Sequence, residues 1–149
     1  MTVVTDPVIV KRVQRLLELP ELIAPLTAKR TALRAERRKR EAELKRRIAE
    51  VKRLVLEDDA YRSAANQTER GIILDAAVVE DDGCQLLADR VDQLTTALDK
   101  VVAELEVLDH ERKALKAALE REYAAVIERA LTDRVLADVA LAGRTKGVA

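Results

Sequence analysis

Apolar side chains recur at alternating steps of four and three residues along the second half of this 149-residue chain. This spacing is typical of a coiled-coil seam, because it keeps one narrow apolar stripe on the same side of a helix. It predicts a coiled-coil helix over residues 83–142, and a seam that would otherwise stay exposed predicts a homo-oligomer. Arg112 is the polar member of the seam, and such a position can set the register or the number of partners. The predicted oligomerisation residues are Leu87, Val91, Leu94, Leu98, Val101, Leu105, Leu108, Arg112, Leu115 and Leu119.

Composition also favours helices. The chain contains no Trp and no Phe, and its two Tyr cannot supply the aromatic bulk that a compact core of this size normally uses. Three Pro and four Gly leave little material for the turns of a β fold. The predicted fold class is therefore all-α: an elongated coiled coil with a long C-terminal heptad helix, a basic N-terminal helix and short docked helices.

All three prolines lie within the first 25 residues. Asp6 is a good N-cap and Pro7 suits the first helical position, so a helix is predicted to start there. Pro20 is expected to end that helix, which makes residues 1–24 a short helix followed by a proline elbow. Residues 25–58 contain nothing that breaks a helix, and they are predicted to form one basic helix.

Capping and breaking residues define the remaining boundaries. Residues 59–82 are predicted to be a linker and a short helix, in which Asn66 is the N-cap and Glu69 completes a capping box. The last long helix is expected to end before Gly143, which leaves residues 143–149 as a disordered tail.

Charge is segregated along the chain although the 27 basic and 27 acidic side chains cancel. Residues 29–53 carry 12 basic and 4 acidic side chains, whereas residues 57–111 carry 15 acidic and 4 basic ones. This asymmetry has two explanations: a surface for nucleic acid, or a basic helix that lies against an acidic one in an antiparallel hairpin.

The basic stretch is the main candidate for a functional site. Between Leu33 and Leu44 the apolar stripe is interrupted, and a segment that is polar all round is expected to be exposed or to contact an anionic partner. Arginine dominates, and its planar guanidinium suits phosphate. Because Tyr61 is the one aromatic residue nearby, binding should depend on the phosphate backbone and on salt rather than on base stacking. The predicted nucleic-acid contacts are Arg30, Arg34, Arg37, Arg38, Lys39, Arg40, Lys45, Arg46 and Arg47.

No combination of residues in the sequence indicates an enzyme. His110 has no metal-binding or acid–base partners in its pattern, and Cys84 is the single cysteine, which fits a reducing compartment. The sequence contains no glycine-rich phosphate loop. We therefore predict a non-enzymatic protein with no cofactor, no metal and no small-molecule substrate. The absence of a long apolar stretch and of a signal-peptide pattern predicts a cytoplasmic protein with no membrane partner.

The middle of the chain resembles a known family. The run Tyr61-x4-Asn66-x2-Glu69-Arg70-x3-Leu74, followed by Asp81-Asp82 and a long heptad helix, is similar to UvsY-type phage recombination mediators over residues 57–120. The resemblance implies a ring-like helical oligomer that binds single-stranded DNA and contacts a recombinase. The scarcity of aromatic residues departs from that family and argues against base stacking.

Two functions follow as hypotheses. The first is an oligomeric coiled-coil protein that binds single-stranded DNA as an accessory in recombination. The second is a phage structural, scaffolding or assembly-adaptor protein that uses its charges to match a protein partner and does not bind nucleic acid.

Overall fold

The computed structural model describes residues 6–146, with side chains described to residue 143. Helices follow one another with short connections: α1 (Pro7–Val55), α2 (Asp59–Arg62), α3 (Gln67–Glu80) and α4 (Asp82–Lys146). Residues 6–146 contain no β-strand, which confirms the all-α class, and α4 is the predicted long C-terminal helix. Within the same residues, no helix combines the length and the apolar character needed to cross a membrane.

Helix α1 does not stop at the prolines. It begins as predicted, since the Asp6 carboxylate accepts a hydrogen bond of 2.9 Å from the Val8 N–H. It then continues through Pro20 and Pro25 to Val55, so the prediction that Pro20 ends the first helix is wrong. An interior proline costs about 3 kcal/mol of helix stability. Leu19 is fully buried beside Pro20, and burial of such side chains offsets that cost.

The segment between the long helices contains more helix than predicted. The short helix α2 lies within the expected linker, and α3 begins at the predicted capping box. The Asn66 side chain accepts from the Glu69 N–H at 2.9 Å, and the Glu69 carboxylate accepts from the Ala65 N–H at 2.9 Å. The first bond satisfies an N–H group that the first helical turn leaves open, and the second holds the residue before the N-cap, so that the two bonds fix where α3 starts.

Helix α4 extends past the predicted end. It includes Gly143 and runs to Lys146, so the prediction that the helix stops before Gly143 is wrong. Glycine ends a helix most readily when it adopts a positive φ, and no glycine among the described residues does so. The rest of the predicted tail, residues 147–149, lies outside the described residues.

The chain divides into two compact units, of which the larger covers residues 25–105. In this unit α1 and α4 run antiparallel: Glu36 pairs with Arg90 at 3.0 Å, and Arg47 near the end of α1 pairs with Asp81 just before α4 at 2.8 Å. Its buried apolar side chains are Val51, Cys84, Leu94, Leu98, Val101 and Leu105.

The second unit covers residues 6–24 and 106–146 among those described. Its two helical segments are also antiparallel, because Arg15 bonds Glu111 and Arg12 bonds Glu122. From residue 123 to residue 143 every side chain of α4 is exposed except Val126, which is half-buried.

Candidate nucleic-acid interface

Pairs of basic residues recur every seven residues along α1. They are Arg38-Lys39, Lys45-Arg46 and Lys52-Arg53, and we call these six residues the dibasic stripe. Seven residues make almost two turns of an α-helix, so successive pairs lie about 10.5 Å apart along the axis and on nearly the same side. The stripe therefore presents cations at a regular interval along one side of α1.

The dibasic stripe is accessible and carries uncompensated charge. Five of its side chains are exposed, and Lys52 is half-buried. None of the six side chains makes an ion pair or a side-chain hydrogen bond with any other described residue. Exposed cations without internal partners are available to an anionic ligand.

The glutamates of the same repeat do not neutralise the stripe. Each pair belongs to a heptad of the form Ala-Glu-x-basic-basic, which places Glu36, Glu43 and Glu50 one position after an alanine. Each glutamate pairs with an arginine outside the stripe: Glu36 with Arg90 at 3.0 Å, Glu43 with Arg40 at 2.9 Å, and Glu50 with Arg47 at 3.6 Å. The alanines that share the stripe's side of the helix, Ala35, Ala42 and Ala49, are exposed and add no charge.

The interruption in the apolar stripe of α1 is not polar all round. Arg37 and Arg40 are half-buried there, and the Nε atoms of both are shielded from water without a hydrogen-bond acceptor. Their aliphatic stems take the place of leucine on the helix face that is partly covered, while their charges meet Glu41 at 3.4 Å and Glu43 at 2.9 Å. Of the two expectations for this segment, exposure or contact with an anionic partner, full exposure does not hold for these two residues.

Arg47, Asp81 and the Cys84 N–H form a hydrogen-bonded cluster that we call the Asp81 clamp. The Arg47 guanidinium donates two hydrogen bonds to Asp81, at 2.8 and 3.0 Å, and the Asp81 carboxylate also accepts from the Cys84 N–H at 2.8 Å. The hydrogen bonds from Arg47, followed by that from Cys84, hold the pKa of Asp81 far below its usual range. A Cβ on Gly83 would lie 3.0 Å from Arg47 Nε, so glycine leaves room for the guanidinium. The sequence predicts that Arg47 contacts nucleic acid, but its guanidinium is hydrogen-bonded to Asp81 within the protein.

The structure separates the other predicted contacts into two groups. Arg34, Arg38, Lys39, Lys45 and Arg46 are exposed and have no partner among the described residues, whereas Arg30, Arg37 and Arg40 are half-buried. Sequence reasoning missed Lys52 and Arg53, which continue the stripe. The heptad spacing of the basic pairs is the signal that would have found them.

The apolar side chains of the predicted oligomerisation seam are buried or half-buried within the single chain. In the unit of residues 25–105, Leu94, Leu98, Val101 and Leu105 are buried, and Leu87 and Val91 are half-buried. In the other unit the seam residues Leu108, Leu115 and Leu119 are half-buried. A seam buried against the chain's own helices is not free to join copies, so that assignment is wrong for the buried residues.

Arg112 does not act as a polar seam position. Its side chain is 52% exposed, and it donates to the Asp109 carboxylate, one turn earlier on α4, at 2.7 Å. Burying a charged guanidinium without a partner is costly, and this one has an acceptor on its own helix, so it stays at the surface.

Cys84 and His110 are the two groups considered for chemistry. Cys84 is buried, and desolvation followed by its hydrogen bond with Asp81 raises the pKa of its thiol, while His110 is exposed. Among the described residues, no three His, Cys, Asp or Glu side chains are grouped so that they could hold a metal ion.

Comparison with protein families, with curated proteins and with solved structures finds no match to this chain.

Proposed function

We propose that this protein is a non-enzymatic accessory protein that binds single-stranded DNA through the dibasic stripe of α1. The observation that carries the proposal is the regular row of six cations without internal partners, while each glutamate of the same heptads is paired with an arginine. Arg and Lys contacts to phosphate need no base-specific geometry and can follow a helix.

The form of the stripe favours a polymer over a small anion. A small anion is held by groups that converge on one point, whereas these pairs are spread over 16 residues, or about 24 Å of helix. A polyanion with charge at every unit can meet all three pairs at once. A flexible single strand can follow a straight helix over this distance, whereas the backbone of a duplex winds away from it.

The composition of α1 predicts binding that is independent of base sequence. Residues 25–55 contain no aromatic side chain on which a base could stack. Tyr61 lies beyond the end of α1 and is half-buried, with the Arg70 guanidinium 5.7 Å from the centre of its ring. Phosphate contacts therefore provide the affinity.

The resemblance to UvsY-type mediators extends this proposal to recombination, with a recombinase as protein partner. The second hypothesis, a phage structural, scaffolding or assembly-adaptor protein, is favoured by one observation of its own. Large apolar side chains at the end of α4, such as Leu131 and Leu136, are exposed and suit a protein partner.

Fluorescence anisotropy with a labelled oligo-dT and with a duplex of the same length tests the proposal. Neutralising one pair, as in Lys45→Gln with Arg46→Gln, should weaken single-strand binding by about 2- to 30-fold, because two phosphate contacts are lost. Neutralising either of the other pairs should have a similar effect, since the three pairs are equivalent in the repeat.

The matched control removes the same charge elsewhere in the same unit. Arg62 and Lys100 are exposed and have no side-chain partner among the described residues, so Arg62→Gln with Lys100→Gln should leave binding nearly unchanged. Equal losses in the control and in the stripe variants would show that net charge alone drives binding, and would contradict the proposal. No single-strand binding by the unaltered chain at low salt would favour the adaptor hypothesis.

A further inference from the structure

Large apolar side chains are exposed along the end of α4. Ile127 is 42% exposed, Leu131 58% and Leu141 59%, and large apolar side chains also lie on other sides of the same segment. Helices with so much exposed apolar surface are normally covered by another protein segment.

A second heptad pattern runs along this segment. Tyr123, Ile127, Ala130, Arg134, Ala137 and Leu141 are spaced by alternating steps of four and three. On a regular helix they fall within an arc of about 80°. This stripe lies in a different register from the seam of residues 87–119, which explains why the covered seam does not continue into it.

We propose that two copies of this chain associate through residues 123–141 of α4. The two helices run antiparallel, and the two-fold axis that relates them crosses the helix at the level of Thr132. Reversing the segment about position 132 maps the stripe onto itself: Tyr123 then faces the partner's Leu141, and Ile127 faces the partner's Ala137. Large side chains thus meet small ones in the layers nearest the axis, so that facing side chains can interdigitate.

Charge favours the same arrangement over a parallel one. Antiparallel pairing places Arg134 in the layer of the partner's Ala130, whose small side chain leaves room for it, and beside the partner's Asp133. The two-fold axis makes this ion pair twice. Parallel pairing in register would instead place Arg134 against the partner's Arg134, which is unfavourable.

An open apolar groove continues the proposed interface. It has a volume of about 390 Å³ and is lined by Ile9, Val13 and Leu16 of α1 and by Leu119 and Tyr123 of α4. Because Tyr123 is a wall of this groove and faces the partner's Leu141, the end of the partner's helix would be directed into it. In such a dimer the exposed helix end of each copy would cover the open groove of the other, so the interface is self-complementary.

The proposed dimer does not depend on nucleic-acid binding and uses a different surface from the seam of residues 87–119. Sedimentation equilibrium of the full chain at tens of micromolar should give about twice the chain mass of 16.6 kDa. Ile127→Asp should weaken the dimer at least tenfold, because it buries a charge in the layer with the partner's Ala137.

Leu136→Asp is the matched control, since Leu136 is 62% exposed on the opposite side of the same helix. It should leave the dimer intact. A monomeric unaltered chain, or equal weakening by both substitutions, would overturn the proposal.

Disulfide formation tests whether the two helices of the dimer run antiparallel, and it does so without introducing a charge into the interface. Ile127→Cys and Ala137→Cys chains, both also carrying Cys84→Ala, are mixed under reducing conditions and then oxidised. The antiparallel dimer should give mainly the mixed disulfide between positions 127 and 137. Mainly like-with-like disulfides, or none, would overturn the proposed arrangement.

Discussion

Individual side chains show how this protein separates structural charge from available charge. Arg47 and Lys45 are two residues apart in a stretch dominated by basic side chains, yet Arg47 bonds Asp81 at 2.8 Å and Lys45 has no partner among the described residues. The difference follows from helix geometry, because two residues correspond to about 200° of rotation. Arg47 lies on the side from which it reaches Asp81, and Lys45 faces solvent.

The Asp81 clamp predicts a specific dependence of stability on pH. The pKa of Asp81 in the folded chain is lowered by Arg47 and by the Cys84 N–H, whereas an Asp in an unfolded chain has a pKa of about 3.9. The clamp therefore stabilises the fold fully above that unfolded value, and the stabilisation is lost as the pH falls below it. Asp81→Asn should lower Tm at neutral pH, and the difference from the unaltered chain should shrink toward pH 2.

Thermal unfolding followed by circular dichroism at several pH values would measure this effect. Asp75 is exposed on α3 and has no side-chain partner among the described residues, so Asp75→Asn is the control. A Tm difference for Asp81→Asn that stays constant from neutral pH to pH 2 would contradict the role assigned to the carboxylate.

The helices show where local sequence decides structure and where packing overrides it. The N-cap at Asp6 and the capping box at Asn66 were predictable, because each is a hydrogen bond between near neighbours. The passage of α1 through Pro20 was not predictable in this way, because the compensating burial of Leu19 depends on distant residues. The same holds for Arg37 and Arg40, whose half-buried positions no local pattern reveals.

Helix α3 contains a glycine that the structure does not require. A Cβ added at Gly71 would meet nothing within 4 Å, and Gly71 does not have a positive φ. Gly71→Ala should therefore raise the free energy of unfolding by about 0.5–1 kcal/mol, since alanine loses less backbone entropy in a helix. Urea denaturation would measure the change.

Gly83 provides the comparison, because a Cβ there would lie 3.0 Å from Arg47 Nε and 3.2 Å from the Asp81 carboxylate. Gly83→Ala should be less stabilising than Gly71→Ala, or destabilising. An equal gain at both positions would show that the clamp does not depend on the space that Gly83 leaves.

For the chain as a whole, the sequence predicted the fold class and the part of α1 that carries the candidate site. It did not predict which basic residues are free, since that depends on which arginines reach Glu36, Glu43, Glu50 and Asp81. It also placed the oligomer interface on the seam of residues 87–119. A heptad pattern predicts that a helix has a partner, but it does not reveal whether that partner belongs to the same chain.

The central claim is that the six cations of the dibasic stripe contact phosphates together. The most direct test is the slope of log affinity for oligo-dT against log salt concentration. If all six contact phosphates, the slope should be about −4, because each neutralised phosphate of a single strand contributes about −0.7. Replacing all six stripe residues with Gln should bring the slope close to zero while helicity is retained. A slope that the six substitutions leave unchanged would contradict the claim.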